Sequence, residues 1–146
     1  MTRINSAIPV KNLTDEHLLA EHREIKRLPY QWRKSYNNGF LSLAPEKFTL
    51  GKGHVLFFLD KQSFILKRYI ELHDECIRRS FKVQDYSENW DYINPDFMKD
   101  YEPTLEERQM LVERIKERIL NGKQQHYHYY GREISKEEAI SILQNF

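Results

Sequence analysis

Residues 14–28 read TDEHLLAEHREIKRL, and this stretch predicts the first helix of the chain. Thr14 or Asp15 can cap its N-terminus, because both side chains accept hydrogen bonds from the unpaired backbone N–H groups there. At the α-helical period, three apolar residues share one arc and are expected to face the core. These residues are Leu18, Ile25 and Leu28.

Pro29 sets the expected end of this helix at about Leu28, because proline has no N–H and its ring clashes with the preceding turn. A continuation through Trp32–Tyr36 is also compatible with the sequence, before Asn37, Asn38 and Gly39 stop it.

Further helices are predicted outward from this one. A second spans residues 61–79, with Leu66, Tyr69, Ile70, His73, Cys76 and Ile77 at the 3.6-residue period. A third begins at a capping box, residues 104–107, and ends at Asn121–Gly122. A fourth, residues 136–143, follows the capping pair Ser135 and Glu138.

The remaining segments predict loops with little strand. Residues 55–58 fit either a short extended piece or the entry to a buried helix, and residues 80–103 fit a long ordered loop. The expected fold is mainly α: residues 1–146 as one compact domain of three main helices, long loops and a short C-terminal helix. A chain of this length can bury enough surface for one core.

Composition narrows the functional classes. Of the residues, 40% are hydrophobic and 31% charged, which is typical of a soluble globular protein. We see neither an apolar run long enough to cross a membrane nor a signal peptide. Cys76 is the single cysteine, so we expect a reducing, cytoplasmic setting. The net charge is only +1, but residues 22–34 and 111–123 are basic and residues 85–107 acidic, so one side can meet phosphate.

One face of the first helix gathers groups that can act on a substrate. Within an arc of roughly 120° it carries His17, Ala20, Arg23, Glu24 and Arg27. A small residue among an imidazole, a carboxylate and two guanidinium groups leaves room for a ligand. The alternative is an ordinary solvated stripe in which Glu24 pairs with Arg27 or Arg23. On the third helix, Arg114 and Arg118 also share a face.

The N-terminus can join this face. A small second residue, Thr2, normally permits removal of Met1, and the resulting α-amine has a pKa of about 7.7–8.0. Part of it is therefore neutral and nucleophilic near pH 7, and amines of this kind form Schiff bases with carbonyl-like carbons. The segment that joins Thr2 to Thr14 reaches roughly 40 Å when extended, which is enough to fold back over the helix.

Four blocks together resemble the phage endonuclease V family, the pyrimidine-dimer DNA glycosylase/AP lyases. They are MTRIN at residues 1–5, DEHLLAEHREIKR at 15–27, GKGHVLFFLDKQSFILKRYIELHDECIRRSFKVQD at 51–85 and YYG at 129–131. The resemblance implies a helical domain with its N-terminus packed between helices. It implies a monomer that binds double-stranded DNA containing pyrimidine dimers or abasic sites, without a metal or other cofactor.

The resemblance also implies residue roles. The Thr2 amine would attack the sugar of the dimer and form a Schiff base, Glu24 would be the catalytic carboxylate, and β-elimination would cut the strand. Contacts to kinked DNA, from which a nucleotide opposite the lesion is flipped, would come from a basic set together with the imidazole on the same face. This set is Arg3, His17, Arg23, Arg27, Arg114 and Arg118.

Departures from the family pattern leave other possibilities open. Glu16 stands where an amide is usual, and His126 and His128 stand where a tryptophan and a lysine are usual. Residues 132–146 extend past the usual end, and residues 30–50 match poorly. The alternatives are a shifted lesion preference or a nucleic-acid-binding protein without catalysis. His126 and His128 could chelate a metal or be polar surface, and Tyr127, Tyr129 and Tyr130 could stack on bases or pack.

Overall fold

A computed structural model describes residues 4–38, 45–51 and 53–145 of the chain. Their helices and strands follow in chain order: α1 (Asp15–Glu24), α2 (Arg27–Asn38), α3 (His54–Phe58), α4 (Gln62–Arg78), α5 (Leu105–Asn121), β1 (His126–Tyr129), β2 (Arg132–Ser135) and α6 (Lys136–Gln144). Short 3-10 turns lie at Val10–Asn12, Ser87–Trp90 and Pro95–Phe97. The prediction of a mainly α domain is confirmed.

Three of the predicted helix starts follow from local capping chemistry. The Thr14 hydroxyl accepts from the His17 N–H, which decides between Thr14 and Asp15 as the cap of α1. The Thr104 hydroxyl accepts from the Glu107 N–H, and the Ser135 hydroxyl accepts from the Glu138 N–H. Each bond satisfies a donor that the first helical turn leaves unpaired.

The first helix ends earlier than Leu28, and this prediction was wrong by one turn. α1 stops at Glu24 and α2 begins at Arg27. Pro29 cannot donate to the Ile25 carbonyl, so that carbonyl instead accepts from the Leu28 N–H at 3.0 Å. The interruption therefore precedes the proline. The predicted continuation toward residue 36 is part of α2, whereas Gly39 lies outside the described residues.

The core confirms the predicted face of α1 but corrects that of α4. Leu18, Ile25 and Leu28 are fully buried, whereas Ile70 and Ile77 are about half exposed. The buried stripe of α4 runs through Gln62, Ile65, Arg68, Tyr69, Leu72, Glu75 and Cys76. Two of these side chains are charged, and a hydrophobic pattern cannot assign them to the core.

The sequence did not predict the β-hairpin that the structure contains. β1 pairs antiparallel with β2, and Tyr127 lies opposite Ile134. Tyr130 and Gly131 form the two-residue turn with φ of 53° and 79°. Positive φ at both positions is the pattern of a type I′ turn, whose twist suits a hairpin. Asn-Gly is the usual signal for this turn, and Tyr-Gly here does not give it.

The hairpin is held to α1 and α4 by a buried charge network. Arg79 donates through Nε to Glu75 Oε2 and through Nη1 to Asp15 Oδ1, both at 2.9 Å. Asp15 also accepts from the N–H groups of Tyr130 at 3.1 Å and Gly131 at 2.8 Å. Ion pairing and hydrogen bonding offset the desolvation cost of these buried charges. The network fixes the turn over the start of α1.

Helix α6 and the residue that follows it pack against the rest of the domain. Asn12 donates through Nδ2 to the carbonyls of Ile142 at 2.7 Å and Asn145 at 2.9 Å, at the end of α6. Ala139 and Leu143 of α6 are buried in the core. No helix in the described part of the chain is long and apolar enough to cross a membrane.

Candidate functional site

A pocket of about 130 Å³ lies between α1, α5 and the N-terminal segment. Its lining comprises Asn5, His17, Ala20, Glu21, Glu24, Arg114, Ile115 and Arg118. The sequence predicted that His17, Ala20 and Glu24 share one face of α1 and that Arg114 and Arg118 share one face of α5, and the fold brings these two faces together. Ala20 lines the pocket among the polar side chains, as its small size suggested. Thr2 and Arg3 lie outside the described residues.

Glu24 supplies the carboxylate on the α1 side of the pocket. Its side chain is 25% exposed, with Oε2 3.0 Å from Arg27 Nη1 and Oε1 3.8 Å from Arg23 Nε. Both arginine side chains are more than half exposed. Exposed ion pairs of this kind contribute about 1 kcal/mol or less, so the arginines can exchange the carboxylate for a phosphate at little cost. The solvated-stripe pairing and an anion-binding role are thus compatible.

His17 presents a neutral imidazole to the pocket. Its Nδ1 lies 2.7 Å from the Thr14 hydroxyl, and its ring stacks on Tyr127 with centroids 5.7 Å apart. Burial lowers the pKa of His17, and the charge of Arg118 lowers it further, against the opposing effect of Glu16 and Glu21. The Thr14 oxygen already accepts from the His17 N–H. The Thr14 hydroxyl thus bonds both the backbone and the ring of His17 and holds the ring at the pocket.

Asn5 and Arg114 join the N-terminal segment to α5. Arg114 donates through Nη2 to Asn5 Oδ1 at 3.2 Å, and Asn5 is only 7% exposed. One residue earlier, the Ile4 N–H donates to Nε2 of His54 at 2.9 Å. Sequence reasoning missed Asn5 and His54 as site residues. Neither has a local pattern that reveals a contact across the fold.

A buried ion pair supports the pocket from behind. Arg68 of α4 donates to both carboxylate oxygens of Glu21 at 2.7 and 3.0 Å, and through Nη1 to the Ile8 carbonyl at 2.6 Å. Both side chains are almost fully buried. A bidentate pair fixes geometry as well as charge. It therefore sets the distance between α1, α4 and the N-terminal segment.

Two departures from the family pattern contact each other beside the pocket. Glu16 accepts from the His128 backbone N–H at 2.7 Å, and its second oxygen lies 2.9 Å from His128 Nδ1. The hydrogen bond with Glu16 raises the pKa of His128. The negative charge of Glu16 is thus partnered by the hairpin. Neighbouring His126 is exposed, and the described residues contain no group of three or more possible metal ligands.

The tyrosines of the hairpin mainly pack. Tyr127 is buried against His17, and Tyr129 donates to the Lys11 carbonyl at 2.6 Å. The guanidinium of Arg79 lies 4.7 Å from the Tyr129 ring and 4.8 Å from the Tyr130 ring. These contacts favour packing over base stacking for Tyr127 and Tyr129, whereas Tyr130 is about half exposed.

Comparison with known families identifies a match over the N-terminal part of the chain. A family model described as pyrimidine dimer DNA glycosylase matches residues 1–89, which is more than half of the 146-residue chain. The matched region contains α1 to α4 and therefore Glu24, Arg23 and Arg27. It ends before α5 and the hairpin, so Arg114 and Arg118 lie beyond it.

Proposed function

The chain belongs to the pyrimidine dimer DNA glycosylase family, and from this premise we propose that it excises cyclobutane pyrimidine dimers and then cuts the strand as an AP lyase. A DNA glycosylase of this family acts in DNA repair. The finer steps, the nucleophile and the residue roles are the proposal. It has the protein acting as a monomer, without a cofactor, on double-stranded DNA that contains dimers or abasic sites.

The proposed nucleophile is the α-amine of Thr2 after removal of Met1. Its lone pair forms a bond to C1′ of the 5′ sugar of the dimer, and the bond from C1′ to the base breaks with its electrons leaving on the base. Opening of the sugar ring gives a Schiff base. Loss of a proton from C2′ then breaks the C3′–O bond, and water finally releases the amine from the product.

Glu24 is proposed as the catalytic carboxylate. A carboxylate at the reacting sugar can stabilise the cation that develops when the base leaves, and it can carry protons between the amine, C2′ and the leaving oxygen. Its location inside a pocket, with 25% of the side chain exposed, suits a group that must meet substrate.

Four arginines near the pocket are proposed to hold the DNA backbone. Arg23 and Arg27 are exposed and flank Glu24 on α1, and Arg114 and Arg118 line the same pocket as Glu24 from α5. Guanidinium groups bind phosphate oxygens in a bidentate fashion and fix the register of the strand. Arg3 is proposed to add a contact from the N-terminus, and the imidazole of His17 is proposed to add a hydrogen bond from α1.

The observation that carries the proposal is the shared pocket of Glu24 and Asn5. Thr2 precedes Asn5 by three residues, so the α-amine has a reach of at most about 11 Å from that anchored position. A nucleophile on so short a tether beside a carboxylate has a high effective concentration. The same segment contacts α5, which carries two of the proposed phosphate ligands.

Borohydride trapping tests the proposal. Protein shown by mass spectrometry to begin at Thr2 is incubated with duplexes that contain either a thymine dimer or an abasic site, and the reduced adduct is mapped. An adduct at residue 2 on both duplexes is expected. An adduct on the abasic duplex alone would favour a shifted lesion range, to which the Glu16–His128 contact beside the pocket also points. If neither duplex gives an adduct while binding is intact, the result would indicate a DNA-binding protein without catalytic activity.

Glu24→Gln separates catalysis from binding. The amide keeps the shape and removes the charge, so strand cutting should fall by about 10²-fold or more while duplex affinity stays within a few fold. Glu117→Gln is the matched control, because Glu117 is an exposed glutamate of α5 outside the pocket lining. Equal loss of binding and cutting in Glu24→Gln would assign Glu24 to structure.

A further inference from the structure

Two hydrogen bonds of His54 determine which of its ring nitrogens carries the hydrogen. Its Nδ1 lies 2.9 Å from the Thr49 carbonyl oxygen, which can only accept, so Nδ1 carries the hydrogen. Its Nε2 receives the Ile4 N–H at 2.9 Å and must be the bare nitrogen. The ring is therefore the neutral Nδ1–H tautomer. It joins the segment around Thr49 to the N-terminal segment.

The surroundings hold this ring in one orientation. His54 is 1% exposed, and the rings of Phe48 and Phe58 meet it edge to face at 5.6 and 5.4 Å. Its own backbone N–H donates to the Gly51 carbonyl at 3.0 Å. Edge-to-face neighbours on a buried ring leave it little freedom to rotate. The acceptor offered to Ile4 is thus fixed in space.

The N-terminal segment is held at two successive residues. Ile4 is fully buried and bonded through its N–H to His54, while the next side chain, Asn5, accepts from Arg114. Arg114 reaches it from α5 and His54 from the start of α3. The bond at Ile4 is the one nearer the chain terminus. It holds the backbone of Ile4, which follows Thr2 by two residues in the sequence, against α3.

We propose that His54 is the positioning residue for the reacting amine: it fixes Ile4 so that the N-terminus is delivered to the Glu24 pocket. His54 touches no substrate and acts through the backbone of Ile4. The inference rests on the proposed function, since it needs the terminal amine to be the nucleophile. A shift of about 1 Å in a reacting group can slow a reaction by about 10²-fold, so one such bond can govern the rate.

The test compares variants of the complete protein that each lose two side-chain hydrogen bonds among the described residues. His54→Phe keeps a packed ring and removes the bonds to Ile4 and Thr49. Asn12→Ala removes two side-chain bonds to backbone carbonyls, at the end of α6. Single-turnover borohydride trapping on an abasic duplex is measured where circular dichroism shows both variants folded, together with duplex affinity.

We expect His54→Phe to slow trapping at least about tenfold with affinity within a few fold of the parent. Asn12→Ala should trap at the parent rate. His54→Gln can offer an oxygen to Ile4 and should recover most of the rate, whereas His54→Asn reaches only toward Thr49 and should not. This Gln and Asn pair decides the question if the Phe variant does not fold.

Two outcomes would overturn the proposal. One is trapping by His54→Phe, or by Gln and Asn alike, at the parent rate. The other is equal slowing by Asn12→Ala, which would make the effect one of general stability. Absence of an adduct with the parent protein is a different result, because it would remove the proposed function itself.

Discussion

His22 of α1 should make the free energy of unfolding decrease at acidic pH, because its surroundings disfavour the protonated ring. It is 2% exposed, and its Nε2 lies 3.0 Å from Nδ1 of His73. The rings of Tyr69 and Tyr86 lie 5.5 and 5.2 Å from its own. Burial above all, and then His73, lowers the pKa of His22 from 6.5 to about 4. The ring is neutral in the folded protein at pH 7.

The sign of the effect follows from proton binding. Between pH 6.5 and about 4 the unfolded chain protonates this histidine and the folded chain does not, so the folded state loses stability as the pH falls. The stabilising contribution is present above pH 6.5 and decreases through this window. From pH 7 to pH 5 the loss is about 2 kcal/mol, and at pH 4 it reaches about 3 kcal/mol.

Urea unfolding of the parent and of His22→Gln at pH 7 and pH 5 measures this loss. Gln removes the titrating group and keeps a polar end toward His73, so its stability should fall by about 2 kcal/mol less than that of the parent over this interval. His126→Gln replaces an exposed histidine and should follow the parent. Parallel loss in the parent and in His22→Gln would refute the assignment and place the acid sensitivity elsewhere.

Three further predictions concern charges around the pocket. The double variant Arg23→Gln/Arg27→Gln should lower the slope of log affinity against log salt by about 1.8, that is about 0.9 for each phosphate contact, whereas Lys67→Gln, an exposed lysine of α4, should not. Glu21→Gln leaves Arg68 buried without a counter-charge and should lower the free energy of unfolding in urea by about 3–5 kcal/mol. A decrease below about 1 kcal/mol would contradict the structural role assigned to the pair of Glu21 and Arg68. Glu16→Gln should bring the pKa of His128 down toward its ordinary range in an NMR titration, and an unchanged value would show that Glu16 is not the cause.

The part of the fold that the sequence predicts is the part set by neighbours along the chain. Caps at Thr14, Thr104 and Ser135 act within three residues, and the arc of Leu18 follows from the helical period. Arg68 was not predicted to be buried, because its partner Glu21 lies 47 residues away in the sequence. Burial of a charge depends on a counter-charge, and no pattern within one helix contains that information.

The sequence likewise predicts only those features of the candidate site that depend on spacing within one helix. Glu24 and Arg27 could be assigned to one face from spacing alone, and so could Arg114 and Arg118. That these two faces meet across one pocket depends on how α1 and α5 pack, which spacing does not give. The contact from His54 to Ile4 joins residues 50 positions apart. Such pairs become visible only when the chain is folded.

The extent of the family match has a consequence for how substrate range can change. The matched residues 1–89 include Glu24 and His54, whereas the unmatched part supplies Arg114, Arg118 and the hairpin. The proposed reacting groups and four of the six proposed DNA contacts come from the matched part, and the other two, Arg114 and Arg118, come from α5. The contact from Glu16 to His128 joins the two parts beside the pocket. Because Tyr127 of the hairpin also stacks on His17, a change in the hairpin can alter the wall of the pocket on the side away from Glu24's arginine partners.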